Sequence, residues 1–140
     1  MKCHILLIVL LQVAILSGSG CSFGGRPAPP DRKSSRHHRL TRMETLWWAD
    51  HQDLKDAVGN KQIHIFNVAF KRISNDLDVI EKDISSAGKK KLKELREEYD
   101  SISESYRKFK RAKRIRHRLK MIGPRMQKLL KEEIQKAGRS

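Results

Sequence analysis

Aromatic side chains are scarce in this 140-residue chain, at 6%, and acidic residues are missing altogether between Ser105 and Lys131. With so few rings, a core must be built from Ile, Leu and Val, which suits amphipathic helices better than a compact enzyme with a deep pocket. No glycine-rich phosphate loop follows a strand pattern, and no convincing strand pattern occurs. No Ser/His/Asp order can be argued either, so a non-enzymatic protein with no cofactor is expected. Cysteine is almost absent. Cys3 and Cys21 are the only two, and no zinc-type spacing exists. The longest apolar run, Ile5 to Leu16, is interrupted only by Gln12 and is too short for a membrane-spanning helix, which needs about 20 residues.

That run has another reading. Lys2 provides a positive start, the apolar run follows, and Ser17-Gly18-Ser19-Gly20 supplies small residues ahead of Cys21. Together they describe an export signal over residues 1–20. Cys3 would leave with the signal, making Cys21 the only mature cysteine, with no intramolecular partner for a disulfide. Ser19-Gly20-Cys21 resembles the lipobox of bacterial lipoproteins, in which a small residue precedes a cysteine that becomes lipidated. Gly18 stands where that pattern usually has Leu, with Leu16 two residues early, so cleavage by an ordinary signal peptidase stays open. The resemblance covers about 21 residues; it implies lipidation at Cys21 and anchoring at a bacterial envelope membrane, and says nothing of the mature domain.

Residues 21–40 read as a disordered basic tether. Gly24-Gly25, Pro27, Pro29-Pro30 and Ser34-Ser35 oppose regular structure. Thr41 and Glu44 then form a capping-box pattern opening a short helix that Gly59-Asn60 closes. Ile63, Phe66, Phe70, Ile73, Leu77, Ile80, Ile84 and Ala87 alternate in steps of three and four, and Leu92, Leu95, Tyr99, Ile102, Tyr106 and Phe109 continue the rhythm out of phase. An all-α fold follows, with residues 61–87 and 89–115 as a long, coiled-coil-like antiparallel hairpin turning at Gly88. Homo-oligomerisation through the same seams is the alternative. After Phe109 the seam slips to Ala112, Ile115, Leu119 and Ile122. Gly123-Pro124 is expected to end the hairpin domain (41–122) and begin an amphipathic terminal helix over 123–140.

The net charge of +15 is unevenly spread. Residues 43–104 carry 13 acidic and 10 basic side chains, whereas residues 105–140 carry 2 and 14. Arg107, Lys108, Lys110, Arg111, Lys113, Arg114, Arg116, Arg118 and Lys120 form the densest part. On one helix, pairs such as Arg107/Arg111, Lys110/Arg114 and Arg114/Arg118 would repel. These nine residues are therefore the expected contact for an anionic membrane surface or acidic envelope polymer. Nucleic acid is not expected, since no fingerprint of a nucleic-acid fold occurs and an exported protein meets little of it.

The remaining candidates are weaker. His37-His38 lacks further ligands nearby, so no metal site is expected. His51 lies among Asp50, Asp53 and Asp56, which drift around a helix and are expected on an exposed polar face. Trp47 is expected to pack inward and Trp48 to lie on the rim. Arg111-Ala112-Lys113-Arg114 also matches a convertase site. A secreted precursor whose basic carboxy-terminal part is released after Arg114 as a ligand is thus the rival reading.

Overall fold

The computed structural model describes residues 26–32 and 34–139. The export signal and Cys21 lie outside the described residues. Four helices account for most of the rest: α1 (Arg36–Gly59), α2 (Ile63–Asp83), α3 (Ser86–Phe109) and α4 (Ala112–Gly138). Among the described residues there is no strand, and no helix is long and apolar enough to cross a membrane.

The helices form a closed antiparallel bundle. Each packs closely on two neighbours in the cyclic order α1, α2, α3, α4, and across the diagonal only side chains meet, as Trp47 and His51 of α1 do with Tyr99 of α3. Short connections force this arrangement, because two or three linking residues leave a helix nowhere to go but back beside its predecessor. At one end the starts of α1 and α3 meet the ends of α2 and α4. There, Arg39 Nε donates to Asp83 Oδ2 at 2.8 Å, and Ser85 faces Glu133. At the opposite end the Phe66 and Tyr106 rings meet with centroids 4.4 Å apart, joining the start of α2 to the end of α3.

The all-α class is as expected, but several boundaries differ. α1 begins at Arg36, five residues before Thr41, because Ser35 is the cap. Its hydroxyl accepts from the His38 backbone N–H at 3.2 Å. Thr41 instead turns its hydroxyl back to the His37 carbonyl at 2.9 Å, a bond that belongs inside a helix. The helix is thus 24 residues long, not short, and it buries Leu40, Met43, Leu46, Trp47, Leu54 and Val58.

The described part of the expected tether is also tied down. Arg26 Nη2 donates to Asp76 Oδ1 at 2.8 Å and to Asp50 Oδ2 at 3.1 Å, and Arg42 donates to the Ala28 carbonyl at 2.9 Å. The described residues 26–32 therefore lie against the bundle between the middle of α1 and its start.

The turn between α2 and α3 lies at Ile84-Ser85, not Gly88. Ser85 caps α3 by accepting from the Gly88 N–H at 3.2 Å. Gly88 sits buried in the first turn, where a Cβ would come within 3.0 Å of the Glu133 carboxyl group. Its lack of a side chain serves close helix packing rather than chain reversal.

The hairpin's second arm ends at Phe109, six residues before the expected limit. Lys110 adopts a left-handed conformation (φ 49°), and the chain reverses across Lys110-Arg111. The slip in the apolar seam after Phe109 marks this turn. By contrast, Gly123-Pro124 breaks nothing, and α4 runs through it. Gly123 is buried where a Cβ would lie 3.2 Å from His51 Nε2, so it permits close approach of α1. Pro124 removes one helical hydrogen bond on the solvent side. Ile122, Met126, Leu129 and Leu130 hold the helix to the core on either side of it.

Both seams enter a shared four-helix core rather than a two-helix coil. Phe66, Ile73, Leu77 and Ile80 of α2 and Leu92, Leu95, Tyr99, Ile102 and Tyr106 of α3 are buried. The outermost members, Ile63 and Phe109, are exposed at 40% and 56%. Trp47 is fully buried and Trp48 lies on the rim, as the sequence suggested.

Candidate functional site at the basic end of the bundle

The basic segment does not form one helix. Arg107 and Lys108 stand on the last turn of α3, Lys110 and Arg111 make the reversal, and Lys113, Arg114, Arg116, Arg118 and Lys120 follow on the first turns of α4. The expected repulsion along a single helix therefore applies only to pairs within α4, such as Arg114/Arg118. Folding gathers the nine side chains at one end of the bundle. Eight of them are exposed, and Arg118 is half-buried.

Their partners are few and uncharged. Arg107 Nε donates to Asn67 Oδ1 at 3.1 Å, and Arg118 Nη2 donates to Ser101 Oγ at 3.1 Å. Among the described residues, none of the nine has a carboxylate within salt-bridge distance. Several cations elsewhere on the bundle are paired: Arg96 with Asp78 at 2.7 Å, Lys91 with Glu132 at 3.0 Å, and Arg125 with Glu98 at 2.5 Å. Nine cations gathered without a carboxylate partner concentrate the positive field at this end.

The start of α4 adds to this field. Arg111 occupies the cap position without a side-chain hydrogen bond, and the first turn contains no acidic residue. Cations therefore stand at the positive end of the helix dipole, an arrangement that costs a few tenths of a kcal/mol per charge and that an external anion relieves. An open groove of about 530 Å³ lies beside it, lined by Lys55, Gly59, Ala112, Lys113, Arg116, His117 and Lys120. A second, of about 400 Å³, is lined by Ser105, Phe109, Arg111, Arg114, Ile115 and Arg118. The sequence did not reveal that Lys55, Lys61 and Ile63 belong to this end. Only the antiparallel return of α1 and α2 brings them there.

The bundle interior holds two polar groups that the sequence placed on an exposed face. Asp50 and His51 are both 1% exposed, which corrects that expectation. Tyr99 Oη accepts from Trp47 Nε1 at 3.1 Å and lies 2.7 Å from His51 Nδ1. Tyr99 Oη and His51 Nδ1 share one hydrogen bond, its direction set by the imidazole tautomer, and the ring also engages the Leu119 backbone. Burial, and secondarily Lys55, push the imidazole down to about 4 despite that backbone bond. A neutral ring bonded on both sides ties α1 to α3 and α4.

Asp50 and Asp76 form the second group, bridged by Arg26. Burial first, then the neighbouring Asp50, raises the Asp76 carboxyl to about 7 against the lowering effect of Arg26. Among the described residues no cluster of three or more His, Cys, Asp or Glu side chains is arranged to hold a metal ion. His37 sits at the far end of the bundle, with Nδ1 3.1 Å from the Ile134 carbonyl.

No family model, no curated protein and no solved structure matches this chain.

Proposed function

We propose that the protein is a non-enzymatic, lipid-anchored envelope protein whose basic end binds an anionic surface. The observation that carries this reading is the set of cations around the Lys110-Arg111 turn, brought together from two helices and lacking carboxylate partners. Fixed positive charges held this close raise the energy of the folded chain unless a counter-surface offsets them.

The proposed anchor is compatible with that orientation. Arg26 is fixed at the level of Asp50 and stands five residues after Cys21, a stretch that reaches at most about 18 Å. Asp50 lies nine residues before the end of α1, about 14 Å of helix rise from the basic end. A lipid on Cys21 and the basic end can therefore contact the same membrane.

The rival reading, a precursor cleaved after Arg114, is less well supported. Cleavage there would detach Ile115, Leu119, Ile122, Met126, Leu129 and Leu130, all buried in the shared core.

Two measurements test the proposal. Intact mass spectrometry of the protein from its own host should find Cys21 as the first residue, carrying a diacylglycerol. The mature chain with Cys21→Ser, which lacks the anchor, should bind phosphatidylglycerol-containing vesicles and lose that binding between about 50 mM and about 500 mM salt. Replacing Lys110, Arg111, Lys113 and Arg114 together by Gln should abolish it. Binding that persists at high salt, or in the fourfold variant, would rule out the electrostatic mechanism.

A further inference from the structure

The basic end also carries an apolar tip. Phe66 and Tyr106 meet across α2 and α3, and Arg107 joins Asn67 one residue further along each helix. Ile63 and Phe109 lie one turn beyond that contact on the same two helices, so the two side chains stand at a common level where the bundle ends. Both continue the heptad seams, yet both emerge into solvent because the helices stop there. Ile65, 44% exposed, adds a third apolar group at the start of α2.

Cations frame this tip closely. Lys108 Nζ lies 5.3 Å and Arg111 Cζ 5.6 Å from the Phe109 ring centroid, within cation–π range. Lys61 and Lys110, flanking Ile63 and Phe109 in sequence, both hold left-handed backbone conformations. Phe109 is thus framed by two cations, and Ile63 is exposed on the neighbouring helix two residues after Lys61.

We propose that this tip seats in an anionic phospholipid bilayer, with Phe109 and Ile63 at the acyl boundary and the surrounding lysines and arginines on the headgroup phosphates. The inference rests on the anionic-surface reading and narrows it to one partner. A soluble acidic polymer would satisfy the charges but offers nothing to apolar groups exposed between them. A bilayer places phosphate and hydrocarbon within a few ångströms of each other, matching the spacing of cation and ring here. Because Ile63 and Phe109 are at the rim of the core, they can be truncated with little loss of packing.

The test compares two probes with the mature Cys21→Ser chain. One is a vesicle of phosphatidylglycerol and phosphatidylcholine; the other is dextran sulfate, a polyanion without an apolar phase. Ile63→Ala combined with Phe109→Ala should weaken vesicle binding at least about tenfold while leaving dextran sulfate binding unchanged. A thermal melt of the variant establishes that the bundle persists. Unchanged vesicle affinity would overturn the insertion and leave the electrostatic reading intact. Binding of the unsubstituted chain to dextran sulfate but not to vesicles would overturn the bilayer as partner. Binding to neither would overturn both readings.

Discussion

Ser85 and Glu133, forty-eight residues apart, clasp each other twice: the Ser85 N–H donates to Glu133 Oε2 at 2.7 Å and its hydroxyl donates to Oε1 at 2.8 Å. A buried carboxylate of α4 thus supplies acceptors at the very start of α3, where backbone donors would otherwise lack partners. Lys136 at 2.7 Å and Arg36 at 3.4 Å balance its charge. Burial opposes ionisation of Glu133, but the bonds from Lys136 and Ser85 outweigh it and hold the carboxyl below its ordinary value. Its contribution is therefore present above the ordinary glutamate range and disappears as pH falls through the depressed folded-state value.

Glu133→Ala should lower unfolding free energy by about 2–3 kcal/mol near neutral pH, the usual scale for hydrogen bonds to a buried charge. Urea denaturation of both chains gives the difference. The gap should close as the buffer is taken below the depressed carboxyl value.

Gly88→Ala tests the same contact from the other side. Alanine is the better helix former by about 1 kcal/mol, so on propensity alone the variant should be more stable. Its Cβ would lie 3.0 Å from the Glu133 carboxyl group and 3.3 Å from Ile84 Cβ, displacing the clasp. A lower melting temperature is expected; a higher one would mean that Glu133 moves aside without loss.

The interior groups predict two opposed pH slopes. His51 is pushed down to about 4 from 6.5, so the unfolded chain takes up protons first and stability falls as pH drops across that interval, by about 3 kcal/mol. Asp76 is raised from 3.8 to about 7, so the folded chain takes up its proton first and stability rises as pH drops over nearly the same interval. The parent should therefore show a shallow profile between about pH 4 and 7. His51→Gln should leave stability increasing on acidification, and Asp76→Asn should leave it decreasing. Denaturant titrations at several pH values separate the two; parallel profiles in all three chains would refute the assignment.

The helical character of the chain was legible because three-and-four spacing directly reports a buried helix face. The seams from Phe66 to Ile80 and from Leu92 to Tyr106 enter the core as the spacing implies. Ends were harder. Ser35 and Thr41 are both competent caps, and the contacts of the turn between them, Leu40 in the core and Arg36 and Arg39 with Glu133 and Asp83, favour the earlier one. Gly88 and Gly123 read as breakers because sequence does not distinguish a glycine needed for a turn from one needed for close helix contact. Asp50 and His51 looked exposed because their partners, Asp76, Arg26 and Tyr99, arrive from distant segments. The nine basic residues were visible as a cluster, whereas the addition of Lys55, Lys61 and Ile63 depends on which helix ends meet.

Two lysines tie stability to binding in opposite senses. Lys61 (φ 57°) and Lys110 (φ 49°) hold the left-handed conformation in which glycine or asparagine is ordinarily favoured, and both stand at the basic end. Left-handed backbone costs a residue with a Cβ about 1 kcal/mol, partly offset on substitution by the greater freedom glycine gives the unfolded chain. Lys61→Gly and Lys110→Gly should therefore each raise unfolding free energy by about 0.5 kcal/mol while weakening attachment to phosphatidylglycerol vesicles. Loss of both properties together would show that the lysine side chains hold the turns. A gain in stability with full vesicle affinity would remove these two charges from the contact. More stable but less adhesive variants would indicate that lysine is kept at two unfavourable backbone positions for the charge it brings to the surface.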